Sequence, residues 1–212
     1  MTENIKVFTQ SSIRIEGGSG IIYIDPLQIP GQPHDADFIF ITHNHGDHFS
    51  PEDIERIANE KTVLIVPEKM KGSAQEAKGY IKEVKTVVPG ENYKVNTLEF
   101  ETIAAYNNIK PFHPKKSGWV GYVLSVDGKR IYVAGDTDVT KEAKAVRCDI
   151  AMVPIGGTFT MDAAKAADLI NTILPEIAIP THYGSIVGKP ADADIFAGRI
   201  KPPVKVEIKI EQ

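Results

Sequence analysis

The chain has 212 residues, of which 42% are hydrophobic and 25% charged, and its net charge is −4 at pH 7. This composition is ordinary for a globular protein with one sizeable core, and the acidic balance argues against a nucleic-acid-binding surface. No apolar run approaches the roughly 18 residues of a membrane span, no signal-peptide pattern is visible, and the single cysteine rules out an intrachain disulfide. We therefore expect a cytoplasmic protein that makes no membrane contact.

The apolar pattern predicts strands interspersed with helices along the whole chain. The predicted strands cover residues 5–8, 12–15, 21–24, 38–41, 62–66, an antiparallel set within 83–100, 119–126, 130–134, 146–153, 177–180 and 204–210. The predicted helices cover residues 51–59, 67–77, 139–146, 163–173 and 191–198. Each half has several strands followed by helices, so we expect one domain over residues 1–212, with two pseudo-equivalent halves that meet near residues 115–120.

Three of the six histidines lie within six residues, directly after the apolar run 38–41. His43, His45, Asp47 and His48 offer imidazole and carboxylate groups, which are common ligands of zinc and related divalent metals. His43 and His45 project to the same side of extended backbone, whereas Asp47 and His48 follow a turn at Gly46. One loop could thus serve two adjacent metal positions. The alternative is a polar surface loop that happens to hold histidines.

Two further candidates follow apolar strands. Asp136 comes after the strand 130–134 and His182 after the strand 177–180. A lone Asp or His at a strand end usually serves a turn, but the presence of both beside a metal motif makes them candidate ligands. Asp25, at the end of the strand 21–24, is equally compatible with a turn and with a site role.

These segments together resemble the metallo-β-lactamase fold superfamily of metal-dependent hydrolases. The resemblance is carried by residues 24–26, 43–48, 134–137 and 180–184, and residues 156–161 resemble a segment of the branch that includes the ascorbate-6-phosphate lactonase. It implies an α+β fold, an αββα four-layer sandwich in which two mixed β-sheets pack face to face with helices on both outer faces. It also implies a site along one edge, where the two sheets meet.

The resemblance also implies roles for individual residues. His43 and His45 would bind one metal, Asp47, His48 and His182 the other, and Asp136 would bridge them. Asp25 would hold the histidine loop in place. Zinc is the expected ion, with manganese or iron as alternatives and with one or two ions bound.

One departure from the family pattern concerns the first metal. The family usually supplies a further histidine on a loop before the bridging aspartate, but the matching place here holds Ala105, Tyr106 and Asn107. His113 is the only histidine in that interval. Either His113 is the replacement ligand, or Asn107 or water fills the place and the first metal is weak or absent. Tyr106, Asn107 and His113 are therefore candidates for substrate contact or metal binding.

The expected activity is hydrolysis of an ester, lactone or phosphoester bond of a small molecule by a metal-bound hydroxide, with Asp47 as the catalytic residue that orients or deprotonates the water. No Gly-x-Ser-x-Gly motif is present, and Cys148 lies in a predicted strand, so covalent catalysis is disfavoured. Lys115 and Lys116 could bind an anionic part of the substrate or simply lie in solvent. Two alternatives remain, a phosphodiesterase or nuclease of the same fold, and a non-hydrolytic metal-binding or redox protein.

Overall fold

The computed structural model describes residues 2–210, and these residues form two mixed β-sheets. The first sheet has the spatial order of the sequence and comprises β1 (Ile5–Val7), β2 (Ile13–Gly17), β3 (Gly20–Ile24), β4 (Phe38–Phe40), β5 (Val63–Pro67) and β6 (Glu83–Val87). The second sheet, also in sequence order, comprises β7 (Asn92–Val95), β8 (Leu98–Ala104), β9 (Val120–Val126), β10 (Lys129–Val133), β11 (Ile150–Pro154), β12 (Ile177–Thr181) and β13 (Lys205–Val206).

Both sheets begin with antiparallel strands and continue with parallel ones. The pairs from β1 to β3 and from β7 to β10 are antiparallel, whereas those from β3 to β6 and from β10 to β13 are parallel. The predicted antiparallel set within residues 83–100 is therefore wrong for β6, which pairs in parallel with β5, because the chain passes to the second sheet only after Val87. The division into halves near residues 115–120 stays a prediction.

Four α-helices have bounds close to the predicted ones: α1 (Pro51–Ile57), α2 (Lys141–Ala145), α3 (Ala163–Ile173) and α4 (Asp192–Arg199). Each of the first three begins after a side chain that accepts a hydrogen bond from the first turn, namely Ser50, Thr140 and Asp162. The predicted helix over residues 67–77 is instead two 3₁₀ segments, Glu68–Met70 and Ser73–Tyr80. The predicted strand over residues 204–210 is too long, since the observed strand β13 covers only Lys205–Val206.

Three buried apolar clusters define the layers. Alternate side chains of β3 and β4, such as Ile24 and Phe40, face a cluster shared by both sheets, which includes Tyr122 and Leu124 of β9. The intervening side chains of the first sheet pack on α1, and the outer face of the second sheet packs on α2, α3 and α4. Because both faces of the central strands are buried, the sequences of these strands are continuous apolar runs. The expected α+β sandwich is confirmed.

The two sheets are joined by hydrogen bonds near one edge. The Tyr122 hydroxyl donates to the carbonyl of Ile41 at 2.7 Å, and the backbone N–H of His182 donates to the carbonyl of Gln10 at 2.8 Å. This edge receives the carboxyl ends of β3, β4, β10 and β12, each followed by one of the candidate polar residues. None of the helices within residues 2–210 is both long and apolar enough to cross a lipid bilayer.

Candidate metal centre

The structure brings all six predicted metal ligands together, and His113 joins them. Within each of three groups, the potential ligand atoms lie within 4.8 Å of one another: His43, His45 and His113; His43, His48 and Asp136; and Asp47, His48 and His182. These side chains come from four loops that are up to 139 residues apart in sequence, from position 43 to position 182. Such a concentration of ligand-type groups is the geometry that a metal centre requires.

Asp136 lies between two histidine groups, with one carboxylate oxygen toward each. Its Oδ2 atom is 3.3 Å from Nε2 of His113 and 3.9 Å from Nε2 of His43. Its Oδ1 atom is 3.3 Å from Nε2 of His48 and 3.4 Å from Nε2 of His182. Two ligands on one tetrahedral zinc ion are about 3.4 Å apart, given bonds of about 2.0–2.2 Å. The spacing therefore suits a metal centre in which Asp136 lies between the two histidine groups.

Asp25 fixes the orientation of the histidine loop through hydrogen bonds with Thr42 and His48. Its side chain is fully buried and accepts hydrogen bonds from the backbone N–H and the hydroxyl of Thr42 at 2.8 and 2.7 Å. The same carboxylate lies 2.7 Å from Nδ1 of His48, so this nitrogen carries the proton and donates. The other ring nitrogen of His48, Nε2, therefore faces Asp136 and Asp47, at 3.3 and 3.6 Å from their carboxylate oxygens. Asp25 holds the loop, as the resemblance implies.

Thr42 fixes the tautomer of His43 in a similar way. Because the Thr42 hydroxyl already donates to Asp25, it accepts from Nδ1 of His43, 2.9 Å away. The Nε2 lone pair of His43 is left facing Nδ1 of His45 at 3.2 Å. Burial, together with the nearby His48, holds the pKa of His43 well below its usual value, so the ring is neutral and suited to bind a cation.

Asn107 orients His113 through both atoms of its amide group. Its Oδ1 atom accepts from the backbone N–H and from Nδ1 of His113, each at 3.1 Å, while its Nδ2 donates to the carbonyl of Phe159 at 2.9 Å. The Nε2 lone pair of His113 is thereby directed at Asp136. A further bond from the Asn107 backbone N–H to the carbonyl of His113, at 2.8 Å, closes this loop.

The charges of the cluster depend on one another. Burial opposes charge on both His48 and Asp136, but Asp136 and Asp25 raise the pKa of His48 well above its usual value. His182 and His48 in turn lower the pKa of Asp136 well below its usual value. Burial also opposes charge on Asp47, yet the hydrogen bond with His182 lowers its pKa. The carboxylates of Asp47 and Asp136 are therefore ionised at neutral pH, and positive charge nearby is needed to offset the cost of burying them.

The donor set passes a chemical test for a bound cation. Nε2 of His48, Nε2 of His113 and Oδ1 of Asp136 are buried and make no hydrogen bond with the described residues. Buried polar atoms are normally satisfied. Without a cation, Nε2 of His48 lies 3.3 Å from the ionised Asp136 and carries a proton, which is why the pKa of His48 is raised. A divalent ion between them would satisfy all three. The residues present therefore fit a metal.

Tyr106 does not join this cluster. Its hydroxyl donates to Glu142 of α2 at 2.7 Å, and the Lys115 ammonium forms an ion pair with the same carboxylate at 2.7 Å. Lys115 also lies over the Tyr106 ring, 4.7 Å from its centroid. The Tyr106 side chain is thus engaged with α2, and an anionic ligand would have to compete with Glu142 for Lys115.

Sequence reasoning missed several residues around the centre. Thr42 is one, and Trp119 is another, since its ring lies 5.0–5.3 Å from the rings of His43, His45 and His113. The remaining ones are the apolar side chains that line the cavity in front of the ligands, namely Phe112, Phe159 and Ile186. Thr42 and Phe112 each directly precede a histidine of the cluster, which is the one signal the sequence offered.

Known proteins share both this fold and this sequence pattern. A family model described as a β-lactamase superfamily domain matches residues 4–182, a range that contains every candidate ligand. A protein of Pyrococcus furiosus named as a metal-dependent hydrolase is 32% identical over 208 residues, covering 90% of this chain and 89% of the relative.

Solved structures agree with this match. A protein of Parabacteroides distasonis superposes with a TM-score of 0.80 at 28% identity, covering 98% of this chain and 93% of that one. A metallo hydrolase of Ignicoccus hospitalis superposes with a TM-score of 0.76 at 24% identity, covering 98% and 95%, and this second likeness concerns the fold alone.

Proposed function

Because this chain belongs to the metallo-β-lactamase superfamily of metal-dependent hydrolases, we propose that it cleaves an ester, lactone or phosphoester bond of a small molecule. The observation that carries this proposal is the position of Asp136, with one oxygen toward each of two histidine groups. That arrangement is the one used when two cations act together on a hydrolysable bond.

We assign His43, His45 and His113 to the first cation and Asp47, His48 and His182 to the second, with Asp136 between them. His113 is preferred over Asn107 for the first cation because the Asn107 amide is already bonded to His113 and to the carbonyl of Phe159. Mixed imidazole and carboxylate ligands suit several divalent ions, and zinc is the one to test first, with manganese and iron as the alternatives.

Bound cations would supply Lewis acidity, which polarises the electrophilic carbonyl or phosphoryl oxygen and lowers the pKa of water toward neutrality. Asp47 lines the cavity with a carboxylate that is ionised at neutral pH. It is placed to orient the attacking water and to accept its proton. Asp25, Thr42 and Asn107 engage Nδ1 of His48, His43 and His113, so that Nε2 of each ring is the atom directed at the cation positions.

Among the candidate bonds, a lactone is the first to test, because residues 156–161 resemble a segment of the lactonase branch of the family. The non-hydrolytic alternative drew its support from the incomplete first ligand set, and we assign the missing imidazole to His113, whose ring lies within reach of His43 and His45. The nuclease alternative has little electrostatic support in a chain of net charge −4.

Metal titration combined with a substrate screen tests the proposal. Chelator-treated protein would be titrated with Zn²⁺, Mn²⁺ or Fe²⁺ and then offered lactones, esters, phosphoesters and phosphodiesters. We expect two equivalents to bind and activity to follow metal content. Asp136→Ala should lose at least one ion and more than about a hundredfold in kcat/KM. Asp138→Ala, whose carboxylate bonds to the backbone N–H of Asn108, is the matched control. Full activity of Asp136→Ala would refute the assignment.

A further inference from the structure

Three apolar side chains form the wall of the cavity in front of the candidate metal centre. This apolar mouth consists of Phe112, Phe159 and Ile186, and the cavity of about 520 Å³ has His45, Gly46, Asp47 and Asp136 on its other sides. Phe112 is 42% exposed and Ile186 is 58% exposed. Large apolar side chains that gather in the open beside a candidate site indicate a surface that a ligand covers.

The apolar mouth is held in a fixed position relative to the candidate ligands. Phe112 directly precedes His113, and its ring meets that of Phe159 edge to face, with centroids 4.8 Å apart and planes at 86°. The Asn107 amide that orients His113 also holds the backbone of Phe159. The hydrogen bonds of the Asn107 amide therefore fix the position of the two perpendicular rings relative to His113.

The charges around this cavity do not favour an anionic arm on the ligand. The charged side chains among its described lining residues are the carboxylates of Asp47 and Asp136, and no lysine or arginine is among them. The Lys110 ammonium of the same loop donates to the carbonyls of Gly157 and Thr160, and Lys115 pairs with Glu142. A negative group remote from the cations would thus meet apolar rings and carboxylates, at a desolvation cost.

We propose that the substrate carries an uncharged apolar or aromatic arm next to the bond that is cleaved, and that Phe112, Phe159 and Ile186 select this arm. The proposal rests on the proposed function, which places the cleaved bond at the metal centre. It differs from the earlier expectation that Lys115 and Lys116 bind an anionic group, and it disfavours a lactone that bears a remote phosphate.

Hydroxamate probes test the apolar mouth without requiring turnover, because the hydroxamate group binds the metal and its substituent extends into the cavity. The zinc-loaded protein would be titrated calorimetrically with acetohydroxamate, hexanohydroxamate, phenylacetohydroxamate and adipic monohydroxamate. We expect the hexano and phenylaceto probes to bind at least about tenfold more tightly than acetohydroxamate, from the apolar area they bury. The adipic probe, which ends in a carboxylate, should gain no affinity over acetohydroxamate.

Variants of Phe112 and Ile186 test whether these two exposed side chains cause the preference for apolar probes. In Phe112→Ala/Ile186→Ala the advantage of the apolar probes over acetohydroxamate, measured on the same variant, should fall to within about twofold. Ile195→Ala is the matched control, because Ile195 on α4 is 49% exposed and does not line the cavity. Equal binding of the short and apolar probes, or a preference for the adipic probe, overturns this inference alone. Failure of every hydroxamate to bind overturns the metal centre and the proposed function with it.

Discussion

Asn107 decides which nitrogen of His113 faces Asp136, although neither Asn107 nor His113 belongs to the histidine-rich motif. The amide oxygen accepts from Nδ1 of the ring, and the amide nitrogen is already committed to the carbonyl of Phe159. Replacing the amide would therefore release the ring without removing it. Outer hydrogen bonds of this kind typically change metal affinity by about 10–100-fold.

We predict that Asn107→Leu lowers the affinity of the first metal position for Zn²⁺ by about 10–100-fold, because His113 loses the acceptor that fixes its tautomer. Asn107→Asp keeps an oxygen at this place and should retain more of the affinity. Competition with a chromogenic chelator measures the Zn²⁺ affinity. The fluorescence of Trp119, the one tryptophan of the chain, reports metal binding in parallel. Asn108→Leu, at the exposed neighbouring position, is the control. Equal affinities of all four proteins would remove Asn107 from this role.

Gly156 allows the backbone to pass close to His182, which itself has a φ of +56°. A Cβ atom at position 156 would lie 2.4 Å from the carbonyl oxygen of His182 and 2.7 Å from Cγ2 of Val187. The carbonyl belongs to the backbone and cannot rotate away, so His182 would have to shift. A displacement of about 1 Å at a reacting centre can cost on the order of a hundredfold in rate.

We predict that Gly156→Ala folds but loses at least about tenfold in kcat/KM and in affinity for the second metal position. The control is Gly198→Ala in α4, where an added Cβ meets no atom within 4 Å. That change should leave activity intact. Metal analysis, kinetics and circular dichroism of both variants provide the measurement, and a Gly156→Ala protein with unaltered metal binding would contradict the steric argument.

At the residue scale, the sequence indicated those members of the cluster that lie next to one another and those that follow the end of a strand. His43, His45, Asp47 and His48 form a dense motif, and Asp136 and His182 follow recognisable apolar strands. His113 lies in a loop with no periodicity, so its approach to Asp136 depends on the loop closure made by Asn107. That closure is a hydrogen-bond geometry and has no counterpart in residue spacing.

At the scale of secondary-structure elements, α3 shows how local signals set boundaries. Asp162 accepts from the backbone N–H of Lys165 at 2.8 Å, and the helix ends at Leu174, which adopts a φ of +51°. Partial burial of Asp162 opposes its ionisation, but the backbone and side chain of Lys165 outweigh this and lower its pKa. An acid whose pKa is lower in the folded protein stabilises the fold above its unfolded pKa, and loses this contribution as the pH falls through the folded pKa.

We predict that Asp162→Ala lowers the free energy of unfolding by about 1 kcal/mol at neutral pH, the usual cost of a lost helix cap. The difference from the wild type should shrink below about pH 4, where the unfolded carboxyl takes up a proton, and continue to shrink as the pH falls. Urea denaturation between pH 3 and pH 7 measures this. Asp168→Ala, an exposed change in the same helix, should show neither effect. A pH-independent loss would mean that the carboxylate charge contributes nothing at this cap.

Elements with a local chemical signature were predicted well, and those without one were not. The hairpin of β9 and β10 turns at Asp127 and Gly128. Both residues have positive φ, as the two central residues of a type I′ turn require. The segment from Ser73 to Tyr80 instead forms a 3₁₀ helix between Gly72 and β6. The direction of β6 was also missed, because pairing with β5 is a long-range contact that local pattern does not encode.

At the scale of the whole molecule, the candidate ligands are divided between the two sheets. The loop of His43, His45, Asp47 and His48 follows β4 in the first sheet, whereas His113, Asp136 and His182 follow strands of the second sheet. Cations bound to this set would therefore link the sheets across the edge where Tyr122 and Gln10 already join them. Binding to the folded protein alone converts metal affinity into stability.

We predict that removing the metals with a chelator lowers the melting temperature substantially. Free metal at about a thousand times its Kd stabilises the fold by about 4 kcal/mol, and each kcal/mol is worth about 2–4 °C in a domain of this size. A shift of roughly 8–16 °C is therefore expected by scanning calorimetry. In Asp136→Ala the shift should fall by half or more, whereas in Asp138→Ala it should persist. A melting temperature that is insensitive to chelation would exclude a metal link between the sheets.

The sequence by itself determined the strands with continuous apolar runs, the capped helices and the cluster of ligand-type side chains, because each depends on neighbours within a few residues. Only the tertiary structure decided that His113 lies beside His43 and His45, that the Tyr106 hydroxyl bonds to Glu142, and that Phe112, Phe159 and Ile186 face the same cavity. The physical reason is that these contacts join side chains from separate loops. Their distances follow from how two sheets pack along one edge, which no short stretch of sequence specifies.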